Sequence, residues 1–207
     1  MKYCKKIIFL IIAVLTGMIS LTSLSVKAQS SNIWQKVYSR SMQDDATSIK
    51  QTSDSGYIVC AVTNAGSALS VIWLLKLDKF GDTLWTKIYN WNANYIPKDI
   101  IETKDGGYAI TGYTSSKMFL IKTNSFGDTL WRKFYGFGRG FSLTSDNKNC
   151  YVIAGEDGSP ITKVKIVKTN LSGELIWEKI ISDSISTTAI KVKMFNSNIY
   201  FVCGRYS

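Results

Sequence analysis

The chain has 207 residues, of which 25 are basic, 15 acidic and none histidine, giving a formal charge of +10 at neutral pH. Without histidine there is no Ser-His-Asp or Cys-His arrangement and no histidine metal site. The basic surplus is spread along the chain and not gathered into the patch or stripe that nucleic-acid binding uses, so no nucleic-acid partner is expected.

At the N-terminus, Lys2, Lys5 and Lys6 precede an apolar run from Ile7 to Leu15, and Val26-Lys27-Ala28 leads into Gln29. That order is the order of a secretory signal peptide. The run is shorter than the ~20 residues of a spanning helix. Residues 1–28 are therefore expected to be removed on export, leaving no transmembrane anchor and a secreted or cell-surface protein. With the leader gone the balance falls to 21 basic against 15 acidic residues, or +6.

From Gln29 onward the chain repeats itself. WLLKLDKFGDTLWTKIY, MFLIKTNSFGDTLWRKFY and VKIVKTNLSGELIWEKII place Gly81, Gly127 and Gly173 at 46-residue intervals, and Trp85, Trp131 and Trp177 likewise. A unit of this length cannot bury its own apolar faces and stacks on copies of itself. Within each unit, Asp78-Lys79-Phe80-Gly81 and its counterparts read as a tight turn, Asp or Asn opening it and glycine supplying a positive φ. The strand before the turn and the strand after it, Thr83 to Tyr89 in the first copy, both carry bulky groups on two faces, which predicts a sheet covered on both sides. Two more strands precede them, for example Ala46 to Ile49 and Gly56 to Val59.

Four short strands per unit, with recurring glycine and tryptophan, predict an all-β protein: a β-propeller of four-stranded blades of about 46 residues. The propeller is expected over 29–207, with blades near 46–90, 97–136 and 139–181 and a partial one at 187–207. A strand at 33–39, containing Trp34-Gln35-Lys36-Val37-Tyr38, matches the last strand of a blade. A β-sandwich is the alternative, but it gives no reason for a fixed period. The pattern ends after the second strand of the fourth unit, so an incomplete ring is expected, as part of a larger propeller or as an imperfect four-bladed one. Open ends of that kind invite self-association.

Most residues with chemical potential fall inside the repeat. Lys76, Lys122 and Lys168 recur in one strand, Lys36, Lys87, Lys133 and Lys179 follow each tryptophan, and Asp54, Asp105 and Asp146 precede each tyrosine-bearing strand. Recurrence in every unit is what packing demands, so the lysines read as stems packed between blades, with ammonium groups reaching solvent or a ring, and the acids as turn residues. Cys60 and Cys203 occupy a position that also takes Thr111 and Ala154, a site for a small side chain, with a Cys60–Cys203 bridge as the alternative. No catalytic, cofactor or metal residue is expected. Outside the repeat, the Asp157-Gly158-Ser159-Pro160 loop and Arg139 between Gly138 and Gly140 leave Asp157, Ser159 and Arg139 as ligand-loop candidates.

The stretch LLKLDKFGDTLW resembles the quinoprotein-like, or PQQ-type, propeller repeat: an apolar strand ending in an acid, a glycine turn, and tryptophan four residues after the glycine. Trp85, Trp131 and Trp177 match that tryptophan, and Asp78, Asn124 and Asn170 match the acidic position, while the turn is one residue shorter than in the family and lacks its threonine. DGGYAITGYT followed by FLIKTNSFGDTLWRKFYG is similar to repeats of secreted, uncharacterised proteins of Bacteroidota. The resemblance implies a propeller, and carries no calcium or quinone ligand onto a position of this chain. The function expected is a secreted, non-catalytic module that binds a protein or carbohydrate ligand, the alternative being part of a larger propeller hydrolase or quinone-dependent oxidoreductase.

Overall fold

A computed structural model describes residues 34–41, 43–64, 69–146, 150–158, 161–181, 186–196 and 199–206, so the leader, Ile33 and Ser159 lie outside the described residues. The described residues form fourteen strands and no helix. Twelve of them make three antiparallel four-stranded sheets, each in simple up-and-down order. The first sheet is β1 Asp44–Gln51, β2 Tyr57–Thr63, β3 Val71–Leu77 and β4 Thr83–Tyr89. The second is β5 Ile96–Glu102, β6 Tyr108–Tyr113, β7 Lys117–Thr123 and β8 Thr129–Phe137, and the third is β9 Arg139–Ser145, β10 Tyr151–Glu156, β11 Val164–Thr169 and β12 Leu175–Ile181. β13 Thr187–Asn196 and β14 Ile199–Tyr206 form a two-stranded fourth sheet. The expected all-β propeller is the observed fold, with three full blades, a half blade and an open ring.

The blade hairpins fold as their turn residues dictate. Asp78 Oδ1 accepts the amides of Phe80 and Asp82, both at 2.8 Å, and Gly81 N–H closes onto Asp78 C=O with φ at +78°. Asn124 and Asn170 make the same bonds in the next blades. An L-residue at these φ values is strained, which is why glycine recurs.

The same turns are where blades grip each other. The Trp131 ring lies over the Gly173 turn so closely that a β-carbon there would come within 2.6 Å of it. Tyr135 donates its hydroxyl hydrogen bond to Gly173 C=O at 2.8 Å, and one blade earlier Lys87 pairs with Asp128 at 2.7 Å beneath Trp85 on Gly127. The segment Trp34 to Tyr38 repeats this set on the first blade: Trp34 covers Gly81, Tyr38 bonds Gly81 C=O and Lys36 pairs with Asp82. It nevertheless belongs to no sheet. The strand expected at 33–39 is thus an extended segment held by side chains, because no described strand lies beside it to complete a ladder.

Apolar cores fill the gaps between successive blades. Ile72, Leu74, Ile100, Ile110 and Phe119 join the first and second, Leu120, Leu143, Ile153 and Val167 the second and third, and Val152, Ile166, Ala189 and Val192 the third and fourth. The expectation that β4, β8 and β12 are covered on both faces is not met: Leu84 is 56% exposed, and Leu130, Phe134, Ile176 and Ile180 are exposed too. Blades diverge from the axis, so the outermost strand meets a neighbour mainly through Trp85, Lys87 and Tyr89 and their equivalents. β14, by contrast, is paired on one edge only, by β13, and exposes Phe201.

Candidate functional site

The two ends of the blades are built differently. At one end every link in the three complete blades has five residues: 52–56, 103–107 and 146–150 between first and second strands, and 78–82, 124–128 and 170–174 between third and fourth. At the other end, here the rim, the links run from the single residue Gly138 to the seven of 64–70 and of 157–163. Irregular loops on a regular frame are where a scaffold carries recognition.

The inner strands β1, β5, β9 and β13 meet at the axis. Each slips register by one residue near its rim end, and the residues that follow the slip, paired with Cys60, Thr111, Ala154 and Cys203, are Ser48, Asp99, Ser142 and Lys191. These four equivalents converge. Asp99, only 2% exposed, accepts from Ser48 Oγ at 2.9 Å, Ser142 Oγ at 3.2 Å, Leu143 N at 3.1 Å and Lys191 Nζ at 3.2 Å, and Lys50 Nζ stands 3.1 Å away. Burial alone raises a carboxyl pKa, but the Leu143 amide and the two ammonium groups outweigh it and hold Asp99 below the ordinary value. A carboxylate so saturated clamps four blades and has no lone pair left for proton transfer.

The slip also explains Gly112, Gly155 and Gly204. Each lies opposite the inner strand at its bulge, where a β-carbon would strike the carbonyl oxygens of Ile96, Arg139 and Thr188.

At the regular end, the recurrent lysines and acids find each other. Lys76, 5% exposed, puts its ammonium 2.7 Å from Asp54, and Lys122 sits 2.9 Å from Asp105. Lys168 stands over the Tyr200 ring at 5.4 Å. The Lys76 hydrogen bond, helped by Thr52, brings Asp54 down to about 2. For Asp105, partial burial works upward, but Thr103, Lys122 and the Gly107 amide bring it to about 2 as well. The reading of Asp54 and Asp105 as plain turn residues is corrected: they are counter-ions of buried lysines, and their carboxylates remain ionised.

The rim shows the opposite character. Arg139 opens β9, pairs with Glu156 at 3.3 Å and lies over the Tyr113 ring at 5.2 Å. Glu156 is buried and also accepts from Thr188 Oγ1 at 3.0 Å. Phe141 meets Tyr113 edge to face at 6.3 Å, and Lys98 Nζ lies 5.8 Å over the same ring. Beside them, Phe141, Thr188, Ile190 and Arg205 line an open cavity of about 350 Å³ between the third and fourth blades. Lys165, at the repeat position of Trp73 and Phe119, is buried and caps the Tyr135 and Phe137 carbonyls at 2.9 and 3.1 Å, fixing the chain just before the one-residue link.

Of the ligand-loop candidates, Arg139 and Asp157 come together at the rim, and Ser159 lies outside the described residues. Asp157 spans its own loop, its N–H bonding Lys163 C=O and its Oδ1 accepting Lys163 N–H, both at 3.0 Å. Cys60 and Cys150 are buried, Cys203 is exposed, and all three are free thiols, so the alternative Cys60–Cys203 bridge is not formed. Cys60 and Cys203 belong to different blades, each opposite its own axial residue.

No protein-family model matches the chain, and no curated protein does. A crystal structure of a protein of unknown function from Bacteroides caccae is similar to it, with a TM-score of 0.56 and 15% identity over 77% of this chain and 56% of that one. The chain thus spans just over half the length of that structure, and the likeness is one of fold.

Sequence reasoning missed Asp99, Phe141, Glu156, Thr188 and Arg205. One signal was available. Glu156 and Arg205 share a repeat position with Val62 and Tyr113, at the rim end of each second strand. Four different side chains stand there, one of them acidic and one basic, whereas the turn glycines and the tryptophans of the hairpins recur unchanged.

Proposed function

We propose that this chain is an exported, non-catalytic propeller that binds a carbohydrate at the rim between its third and fourth blades. The observation that carries the reading is the cavity of about 350 Å³ lined by Phe141, Thr188, Ile190 and Arg205, where the repeat symmetry breaks down. Pockets of ~300–1,000 Å³ with an apolar lining and a few polar groups are the usual form of a small-ligand site. Phe141 offers a ring surface to sugar C–H groups, Thr188 a hydroxyl and Arg205 a fork of donors. Export rests on the Lys2 to Ala28 pattern alone.

The test is binding of the 29–207 protein to a panel of immobilised oligosaccharides. The expected result is a bound class that is lost on Phe141→Ala while the melting curve stays cooperative; a panel with no bound class refutes the reading. The PQQ-type wording of the hairpins supports a blade grammar shared with quinoproteins. A chromophore or calcium carried through purification would favour the quinone-dependent alternative over the binder.

A further inference from the structure

Resting on that reading, we infer that the sugar bound at the rim carries a carboxylate, as a hexuronic acid residue does, and that Arg205 receives it. The sequence has four arginines. Three are engaged: Arg40 lies over the Trp73 ring at 6.0 Å, Arg132 over Trp91 at 4.5 Å with a bond to the Tyr95 hydroxyl, and Arg139 on Glu156 and Tyr113. Arg205 is exposed and lines the cavity, and its side chain has no hydrogen-bonding, ionic or aromatic partner among the described residues. Its backbone pairs with Thr188, whose hydroxyl is already committed to Glu156. The unspent donors of the cavity are therefore those of one guanidinium.

A planar fork of N–H donors matches a carboxylate bidentately, a geometry that a lone ammonium does not offer. The described acids nearby do not compete for it. Glu156 is taken by Arg139 and Thr188, Asp99 by the axial groups, and Asp157 by the Lys163 amide. Lys98 and Arg139 add positive charge to the same rim, and convergent cations at a cleft raise the local concentration of an anion. Phe141 and the 49% exposed Ile190 supply the apolar floor against which a pyranose ring lies. Acid on one side and an apolar face on the other describe a uronate.

The experiment is calorimetric titration of the 29–207 protein with oligogalacturonate, with the neutral galactose oligomer of equal length, and with a short polyglutamate peptide. Binding of the uronate alone, weakened about tenfold or more by Arg205→Gln and only partly restored by Arg205→Lys, supports the inference. Equal binding of acidic and neutral oligomers, or indifference to Arg205→Gln, overturns the carboxylate while leaving carbohydrate binding standing. Equal binding of polyglutamate overturns the saccharide and makes the rim a site for acidic protein segments. Binding of none of the three overturns this inference, and the oligosaccharide panel then decides the carbohydrate reading separately. The Arg205 side chain has no partner to lose among the described residues, so the variant is expected to melt as the parent does.

Discussion

The regular end of the propeller and its rim are made by the same strands, yet one repeats its link length and turn geometry in every complete blade and the other does not. At the regular end the links keep five residues, the turn glycines keep φ between +76° and +79°, and Trp34, Trp85 and Trp131 each cover the turn of the blade that follows. At the rim the links vary from one residue to seven, and one repeat position at the rim end of the second strand passes through Val62, Tyr113, Glu156 and Arg205. Stacking explains the first end, because every blade must present the same surface to the next. It explains nothing about the second. Within one chain, repetition separates what holds the ring from what is free to recognise a ligand.

The largest effect that would sharpen this contrast belongs to Asp99, where the four inner strands meet. Asp99→Ala leaves two ammonium groups, two serines and an amide without their shared acceptor, and breaking a buried ion cluster from one side costs about 3–5 kcal/mol. Urea unfolding is expected to show a midpoint lowered accordingly, and an unchanged midpoint would mean that the axis does not clamp the blades. Gly173→Ala comes next. It forces an L-residue into a positive φ and drives its β-carbon toward Trp131, at a combined cost of about 2–4 kcal/mol. Gly106, whose φ is also positive but whose surroundings are open, is the control, expected to lose only the backbone share.

How much of this was written in the sequence follows the same division. Gly81, Trp85 and their copies were legible because they recur every 46 residues, the rim links of six and three residues in one interval and of one and seven in the next being evened out by strand length. The lysine–acid pairs were not, since Lys76 and Asp54 are 22 residues apart while Lys122 and Asp105 are 17 apart, the rim link between them being shorter in the second blade. Asp99 was hidden for a different reason. Its equivalents are Ser48, Ser142 and Lys191, and a one-residue slip in each inner strand obscures the alignment. Arg205 was passed over because it looked like one more scattered charge, and only the packing shows that the other three arginines are occupied.

Acid should weaken the carboxylate contacts that hold the blades. Asp54 and Asp105 fall to about 2 in the folded chain, and Asp99 is lowered as well. An unfolded aspartate titrates near ~3.9, so the stability these groups confer is fully present above that value and is lost as pH falls from there toward about 2. Urea midpoints measured from pH 7 to 3 are expected to stay level down to about pH 5 and then decline. Lys122→Met should shrink that decline by removing the partner of Asp105. A decline of the same size in the variant would show that the pair does not depress the Asp105 carboxyl.

The smallest effect separates the ends most cleanly, because it compares two cations on strands of the same protein. Lys122→Met removes an ammonium that bonds Thr123 C=O at 2.8 Å in a buried setting, and is expected to cost about 1–2 kcal/mol, since the carbonyl loses its partner while exposed Asp105 turns to water. Arg205→Gln removes a charge that bonds nothing among the described residues, and should leave the urea midpoint within about 0.5 kcal/mol of the parent. If Arg205→Gln destabilised the protein as much as Lys122→Met, the guanidinium would be a packing group like the others. If it leaves stability intact while uronate binding falls, the rim cation is spent on a ligand, and the asymmetry between the two ends has a functional cause.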